Sequence, residues 1–436
     1  MRDPLPVEPA AAPVDATVTL PGSKSITNRA LVCAALADGP SVLQGVLRAE
    51  DTLAMVEALR ALGVEVTRTG LAELTVAGPP RRGAAVDARQ SGTTARFLLP
   101  LLALLDGPST LDGDPQLRDR PMGPTFAALR SAGARVEELD GEGRLPVTVA
   151  GPLRTAALEL PGDASSQFLS GLLLSGPATP EGLQVTLTTP LVSRPYVEMT
   201  VAVVEAFGGR VDHDVVGGRE TWHVAPGGYR ATTYAVEPDA SAASYVLAAA
   251  VLTGGRATVP GLSRRALQGD IAFADVLARM GADVTWHDDA VTVAAGGRLV
   301  GIDVDMEPIS DTVPTLASVA ACAEGPTTIR GVGFIRAKES DRIAAPVTEL
   351  RRCGIDAEAT DDGMVIRPGP LRPATFDTYR DHRMAMALSL LGLVAPGMAV
   401  RDPGCVAKTF PGWWDLLDQL RTGALPPARR PPPGAG

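Results

Sequence analysis

Apolar stretches that end in glycine recur along this chain at a nearly constant interval. Six of them, NRALVCAALADGP, ARFLLPLLALLDGP, SQFLSGLLLSGP, ASYVLAAAVLTGG, TLASVAACAEGP and MAMALSLLGLVAPG, read as helices closed by Gly39, Gly107, Gly176, Gly254, Gly325 and Gly397, spaced 68, 69, 78, 71 and 72 residues apart. A second marker is an amphipathic helix that runs through glycine into a strand. It appears as ALRALGVEV, ALRSAGARV, VVEAFGGRV, VLARMGADV and ELRRCGIDA, with Gly63, Gly133, Gly208, Gly281 and Gly354 spaced 70, 75, 73 and 73 apart. Glycine after the last helical turn is the expected left-handed cap. A period near 70 residues is too long for the common solenoids, and it predicts six copies of a mixed α/β unit. The sixth copy of the second helix, FPGWWDLLDQL, has no hairpin after it. The strand around Ala16 to Leu20 is expected to fill that gap, which puts both chain ends in one lobe and inserts the other lobe between them. The tail after Gly423 is Pro-rich and expected to be disordered.

Composition narrows the class. A chain of 436 residues has room for two domains. Its net charge of -10 weighs against nucleic acid or an anionic membrane as the main partner. The N-terminal MRDPLPVEPAAAP lacks the apolar core of a secretory signal. The longest apolar stretches, such as Phe97 to Leu105, fall well short of the roughly 20 residues that span a bilayer. Cys33, Cys322, Cys353 and Cys405 form no C-x-x-C pair and are expected as free thiols in the cytoplasm. Four dispersed histidines give a metal site little support. Of 40 Lys+Arg, only Lys24, Lys338 and Lys408 are lysine. Such a bias singles out positions that need a compact amine able to transfer a proton, which Arg cannot do at ordinary pH.

The polar residues ahead of the first-marker helices carry the chemical signal. They run Pro21-Gly22-Ser23-Lys24-Ser25-Ile26-Thr27-Asn28-Arg29, Ser91-Gly92-Thr93-Thr94-Ala95-Arg96, Asp163-Ala164-Ser165-Ser166-Gln167, Asp239-Ala240-Ser241, Asp311-Thr312 and Asp381-His382-Arg383. Ser, Thr and Asp there are good N-caps. Capping leaves Lys24, Arg29 and Arg383 unexplained, because a cation in the first turn opposes the helix dipole by about 0.3–1 kcal/mol. Free N–H groups plus a cation at a helix start form an anion site instead. Neither a Walker A loop nor a G-x-G-x-x-G turn is present. In Arg336-Ala337-Lys338-Glu339-Ser340-Asp341-Arg342, the spacing puts Lys338 and Arg342 on one helical face with Glu339 beside them.

PGSKSITNRAL, SGTTAR, RDRPMGPTFAALRSAGA, ASSQFLSGLLL, SRPY, DASAASY, AKESDR, DHRMAMALSL and DPGCVAKTFPGWW, in order from about residue 18 to 420, closely resemble the 5-enolpyruvylshikimate-3-phosphate synthase family. The resemblance implies a two-lobed enolpyruvyl transferase fold, an inside-out α/β barrel with six βαβαββ units, three per lobe. Residues 21–237 would form the inserted lobe, 1–20 with 238–422 the second lobe, and 423–436 a disordered tail. The implied reaction moves the enolpyruvyl group of phosphoenolpyruvate to the 5-hydroxyl of 3-phosphoshikimate and releases phosphate, in the shikimate pathway to chorismate. A tetrahedral adduct on that route needs a proton delivered to the vinyl carbon and one removed from the hydroxyl.

By motif position, Asp311 is the implied base and Glu339 the implied acid, with Lys24 as proton partner. Lys24, Ser25, Arg29, Ser165, Ser166, Gln167, Ser193, Asp311 and Lys338 would hold 3-phosphoshikimate. Lys24, Gly92, Arg120, Gln167, Arg342, Arg383 and Lys408 would hold phosphoenolpyruvate, with Gly92 bringing backbone close to an anion. No metal or other cofactor is implied, since protein cations offset the charge. The expected state is a cytoplasmic monomer with no nucleic-acid or membrane partner.

Some positions depart from the family pattern. Gln90 replaces a common Asn, Phe97 a common Pro, Phe334 and Ile335 an Asn-Trp pair, and Arg194 a common Lys. The sister enzymes that act on UDP-N-acetylglucosamine use a mobile-loop Cys, which the stretch Asp112 to Asp119 lacks. RNA 3′-phosphate cyclases share similar repeats, but the acidic charge and the absence of a suitable His motif weigh against them. A non-catalytic scaffold would have no use for Asp311, Glu339 and Lys24 together. Lys24→Arg is expected to keep the charge and lose most turnover; a kcat near wild type would show that the amine is not needed.

Overall fold

The computed structural model describes residues 1–428. Two compact units emerge, an inserted unit of Gly22–Glu237 and a terminal unit that joins Met1–Pro21 to the chain from Pro238 onward. Helices of the inserted unit are α1 (Lys24–Ala35), α2 (Glu50–Ala61), α3 (Gly92–Leu102), α4 (Pro115–Arg118), α5 (Gly123–Ser131), α6 (Ser166–Ser175) and α7 (Arg194–Ala206). Those of the terminal unit are α8 (Ala240–Leu252), α9 (Phe273–Arg279), α10 (Val313–Ala320), α11 (Ala344–Arg352), α12 (His382–Gly392) and α13 (Trp413–Thr422).

The six apolar stretches become α1, α3 and α6, which pack together in one unit, and α8, α10 and α12, which do so in the other. A helix that is apolar all round belongs inside a core. Every residue of α3, α10 and α12 is buried. Apart from Leu252, the residues of α1, α6 and α8 that reach solvent are Ser25, Gln167 and Ser241, each the second residue of its helix. The amphipathic markers become α2, α5, α7, α9 and α11, and the sixth copy becomes α13. Their apolar sides seat against both core helices and strands, as α2 does on α1 and α3 and α11 on α10 and α12.

All five glycines of the second marker take positive φ, from 82° at Gly208 to 101° at Gly281. The first-marker glycines divide. Gly254, Gly325 and Gly397 are left-handed, whereas Gly176 is right-handed at φ -54° and leads into a short 3-10 turn. Arginine three residues before the cap also has a repeated task. Arg60, Arg130 and Arg351 donate through Nε to the carbonyls of Val66, Val136 and Ala357, six residues on, at 3.0, 3.2 and 2.6 Å. The fork ties the helix end to the strand that the glycine turns back.

Each unit holds three sheets. In the plan, the strand before a core helix pairs in parallel with the strand after it, and an antiparallel hairpin follows. Ala85–Asp87, α3 and Ser109–Asp112 show it, with Val147–Ala150 and Arg135–Glu138 as the hairpin. At the two crossings the first strands are exchanged. Asp15–Thr17 precedes α1 but pairs with Arg256–Pro260, which follows α8. Thr233–Ala235 precedes α8 but pairs with Ser41–Gln44, which follows α1.

Two expectations change. The strand near Ala16 to Leu20 forms, yet it completes the sheet of α8 and not the sixth one. The sixth sheet, Ala374–Phe376 with Met398–Val400, is closed by Leu5–Val7 lying antiparallel to Met398–Val400. The tail is not loose from its start. Thr17 donates through N–H and Oγ1 to the carbonyls of Pro426 and Pro427, and Ala428 N–H donates to Asp15. The outer edge of Asp15–Thr17 offers unpaired groups, and the tail satisfies them. Residues 429–436 lie outside the described residues.

Helices α3 and α6 pack backbone to backbone. A Cβ at Gly171 would sit 2.5 Å from the Arg96 carbonyl oxygen. Alanine would gain about 1 kcal/mol of helix propensity, but it would overpack a backbone contact at a cost of about 1–3 kcal/mol. Gly171→Ala is therefore expected to lower the melting temperature by a few degrees; a rise would show that the helices can part at no cost.

Candidate active-site groups

The helix starts of the inserted unit collect its predicted ligands. Ser23, Ser91 and Ser165 cap α1, α3 and α6, accepting the N–H groups of Ile26, Thr94 and Gln167 at 3.3, 3.2 and 3.3 Å. None of the three helices has an acidic residue in its first turn. Each start therefore keeps donors and positive dipole for an anion. Lys24 opens α1, buried to 8% exposure, with Nζ 3.3 Å from Asp51 Oδ2.

Gly92 and Arg120 are brought together. A Cβ on Gly92 would lie 2.5 Å from Nη1 of Arg120 and 2.7 Å from its Cζ. The glycine thus admits a guanidinium, so the close approach expected of Gly92 is one to Arg120. Ser193 caps α7 in a left-handed conformation, φ 53°, buried to 3%. Next to it, the Arg194 guanidinium is paired with Glu220.

Arg29 sits differently from the expectation. Since α1 begins at Lys24, Arg29 lies in the second turn and not the first. Its guanidinium donates to Thr200 Oγ1 at 2.8 Å, the Ser25 and Tyr196 carbonyls at 2.9 Å and Ser170 at 3.5 Å, and stands 5.0 Å over the Phe97 ring. Burial pulls its pKa down to about 10. Four of its five N–H groups are thus engaged inside the protein.

The terminal unit gathers Asp311, Glu339, Arg342, Arg383 and Lys408 around one buried guanidinium. Arg342, 2% exposed, donates to Asp381 through Nε at 2.8 Å and Nη2 at 3.1 Å, to Asp311 at 3.1 Å and to Glu339 at 2.8 Å. Arg383 donates to the other oxygen of Asp311 at 2.6 Å. Lys408 Nζ stands 3.8 Å from Glu339. Burial alone would lower the Arg342 pKa, but Asp381, Glu339 and Asp311 more than offset it and push it upward. These ion pairs set three carboxylates against three cations.

The shared helical face expected of Lys338 and Arg342 does not form. Residues 338–340 bend between a 3-10 turn, Gly333–Ala337, and the start of α11 at Ala344. Across the bend Arg342 reaches back three residues to Glu339. Lys338 instead stands 5.9 Å from the ring of Phe334.

Two residues given no role from sequence, Asp51 and Arg96, and one read only as a helix cap, Asp381, prove central. Asp51 pairs with Lys24. Arg96, 2% exposed, lies 4.9 Å over Phe168 and donates to Gln167 Oε1 at 2.9 Å, which leaves the amide NH2 for a ligand. Asp381, wholly buried, receives Arg342 and Ser340 and caps α12 by accepting Arg383 N–H at 2.9 Å. A cation inside SGTTAR with no nearby acid was a usable signal for Arg96; nothing local marks Asp51. The turn into α12 is also unusual. Asp381 N–H donates to the Thr378 carbonyl at 2.8 Å around Tyr379 and Arg380, whose φ values are 55° and 56°. Left-handed backbone costs an L-residue about 1–2 kcal/mol.

Burial pushes the thiols of Cys33, Cys322 and Cys405 up to about 12 and that of Cys353 to about 11, so none offers a thiolate near neutrality. Among the described residues, no group of three or more His, Cys, Asp or Glu is placed to hold a metal ion, and no helix is long and apolar enough to cross a membrane.

The chain is similar to known proteins over most of its length. The family model for EPSP synthase (3-phosphoshikimate 1-carboxyvinyltransferase) matches residues 9–417. A 3-phosphoshikimate 1-carboxyvinyltransferase of Nostoc punctiforme is 44% identical over 417 residues, 94% of this chain and 97% of the relative. One from Klebsiella pneumoniae is 41% identical over 430 residues, 96% of this chain and 99% of the relative. The structure of EPSP synthase from Acinetobacter baumannii superposes with a TM-score of 0.79 at 29% identity, covering 96% of this chain and 98% of that one. With its two units of three repeats and its charged helix starts, the chain belongs to the EPSP synthase family.

Proposed function

We propose that the chain transfers the enolpyruvyl group of phosphoenolpyruvate to the 5-hydroxyl of 3-phosphoshikimate with release of phosphate, and that its residues divide the work between the two units. The observation that carries this reading is the cluster of ion pairs around Arg342. Phosphoenolpyruvate brings several negative charges to Arg342, Arg383 and Lys408. Like charges nearby favour the protonated form of a carboxyl. Arrival of the substrate thus drives a proton onto Glu339, which then serves as the acid that protonates the vinyl carbon. Asp311, held through both oxygens by Arg342 and Arg383, takes the proton of the 5-hydroxyl as its oxygen attacks. The tetrahedral adduct then loses phosphate and a methyl proton to give the enol ether.

In the inserted unit, Ser165, Ser166, Gln167, Ser25 and Ser193 supply donors to 3-phosphoshikimate from the starts of α6, α1 and α7. Arg29 serves mainly by shaping that wall, with one N–H left for the ligand. Lys338 of the terminal unit contributes a further cation. Arg120 beside Gly92, and Gln167 oriented by Arg96, contact phosphoenolpyruvate. Lys24, paired with Asp51, exchanges that partner for substrate anions and moves a proton.

Phosphate release from phosphoenolpyruvate is expected only in the presence of 3-phosphoshikimate; release without it, or none with it, rejects the assignment. Gly92→Ala forces the Arg120 guanidinium away, and the KM for phosphoenolpyruvate is expected to rise about tenfold, the equivalent of about 1.4 kcal/mol. An unchanged KM would show that Arg120 lies outside the site.

A further inference from the structure

The left-handed turn of Tyr379 and Arg380 stands directly behind the carboxylate that holds Arg342. Neither residue is glycine or asparagine, so nothing in their own chemistry favours positive φ. An outside hold must therefore keep the turn in place. The structure shows one, built on Glu349 of α11.

The Glu349 side chain is wholly buried. It accepts the Tyr379 hydroxyl at 2.7 Å and the Asp377 N–H at 3.0 Å, and Arg352 approaches it at 3.0 Å. Arg352 also binds Asp377 at 2.7 Å, and Arg401 reaches Asp377 from the other side at 3.1 Å. Both ends of the segment that enters the turn are thereby fixed to one buried carboxylate. Partial burial and the neighbouring carboxylate push the Tyr379 phenol up to about 12, so its O–H remains a donor throughout the working range. The next residue after the turn is Asp381, which clamps Arg342 and caps α12 just ahead of Arg383.

We infer that Glu349 and Tyr379 are positioning residues for the reaction: they hold the Tyr379–Arg380 turn in its left-handed form and so set the places of Arg342 and Arg383. The inference rests on the reading of those two arginines as phosphoenolpyruvate anchors. Neither Glu349 nor Tyr379 touches substrate in this account. Their main effect falls on phosphoenolpyruvate, because the groups assigned to 3-phosphoshikimate lie mostly in the inserted unit; Asp311, held by the same two arginines, is the link through which they also reach the other substrate.

The test is steady-state kinetics of Tyr379→Phe and Glu349→Gln, each alone and combined with Arg380→Gly. Each single variant is expected to raise the KM for phosphoenolpyruvate about tenfold and to leave the KM for 3-phosphoshikimate within about twofold. Glycine at 380 accepts positive φ freely, so adding Arg380→Gly is expected to restore most of the lost affinity. Equal rises in both KM values, no rise in either, or no restoration by glycine overturns the inference. Should the Glu349 variant fail to fold, Tyr379→Phe and Arg380→Gly alone still decide. Relief of the turn by Arg380→Gly is expected to raise the melting temperature by a few degrees, and a fall would remove the premise of a strained turn. Arg383→Ala separates the two levels. An unchanged KM for phosphoenolpyruvate there rejects the anchor assignment itself, whereas a raised KM there beside an unaffected Tyr379→Phe rejects only the positioning role.

Discussion

Three helices buried on nearly every side form the centre of each unit, and a helix packed in this way has only its ends on which to place polarity. The solvent-reaching residues of α1 and α6, Ser25 and Gln167, sit in the first turn for that reason. So do the caps Ser23, Ser91, Ser165 and Asp381. Donors at these starts have no intrahelical partner, and no acidic first-turn residue neutralises the dipole of α1, α3 or α6. The packing that gives each unit its core thus also concentrates its anion-seeking groups.

Buried charge is tolerable only where it is paired and hydrogen-bonded. Arg342 meets that condition through three carboxylates, Lys24 through Asp51, and Arg29 through hydroxyls and carbonyls. The three differ in consequence. Arg29 is settled by neutral acceptors and works as a strut. Lys24 and Arg342 are balanced by carboxylates, so an incoming anion competes with a charge already present. On the proposed reading, binding redistributes protons as well as contacts, which suits a reaction that must protonate a carbon and deprotonate a hydroxyl.

Much of this was legible from residues alone, because it is local. Periodic apolar runs and their glycines place all the core and amphipathic helices, and cations at helix starts mark Lys24 and Arg383. The missing parts depend on distant partners. That Asp15–Thr17 serves the sheet of α8, and Leu5–Val7 the sixth sheet, follows from pairing across most of the chain. Asp51 carries no local sign that it faces Lys24. The i, i+4 spacing of Lys338 and Arg342 misleads, because the segment bends where a helix was expected. Tyr379 and Arg380 hide their turn because no glycine announces it.

The exchange of first strands at the crossings has a consequence for how the chain is made. Everything the inserted unit needs, including its closing strand Thr233–Ala235, has left the ribosome once residue 237 is clear. The terminal unit is different, since Leu5–Val7 must wait for Met398–Val400. At roughly 5–20 residues per second, the first strand synthesised stays without its partner for on the order of 20–80 s, while a complete neighbour folds in the interval. The short length of that strand, three residues with a proline at its centre, limits what it could pair with wrongly during the delay.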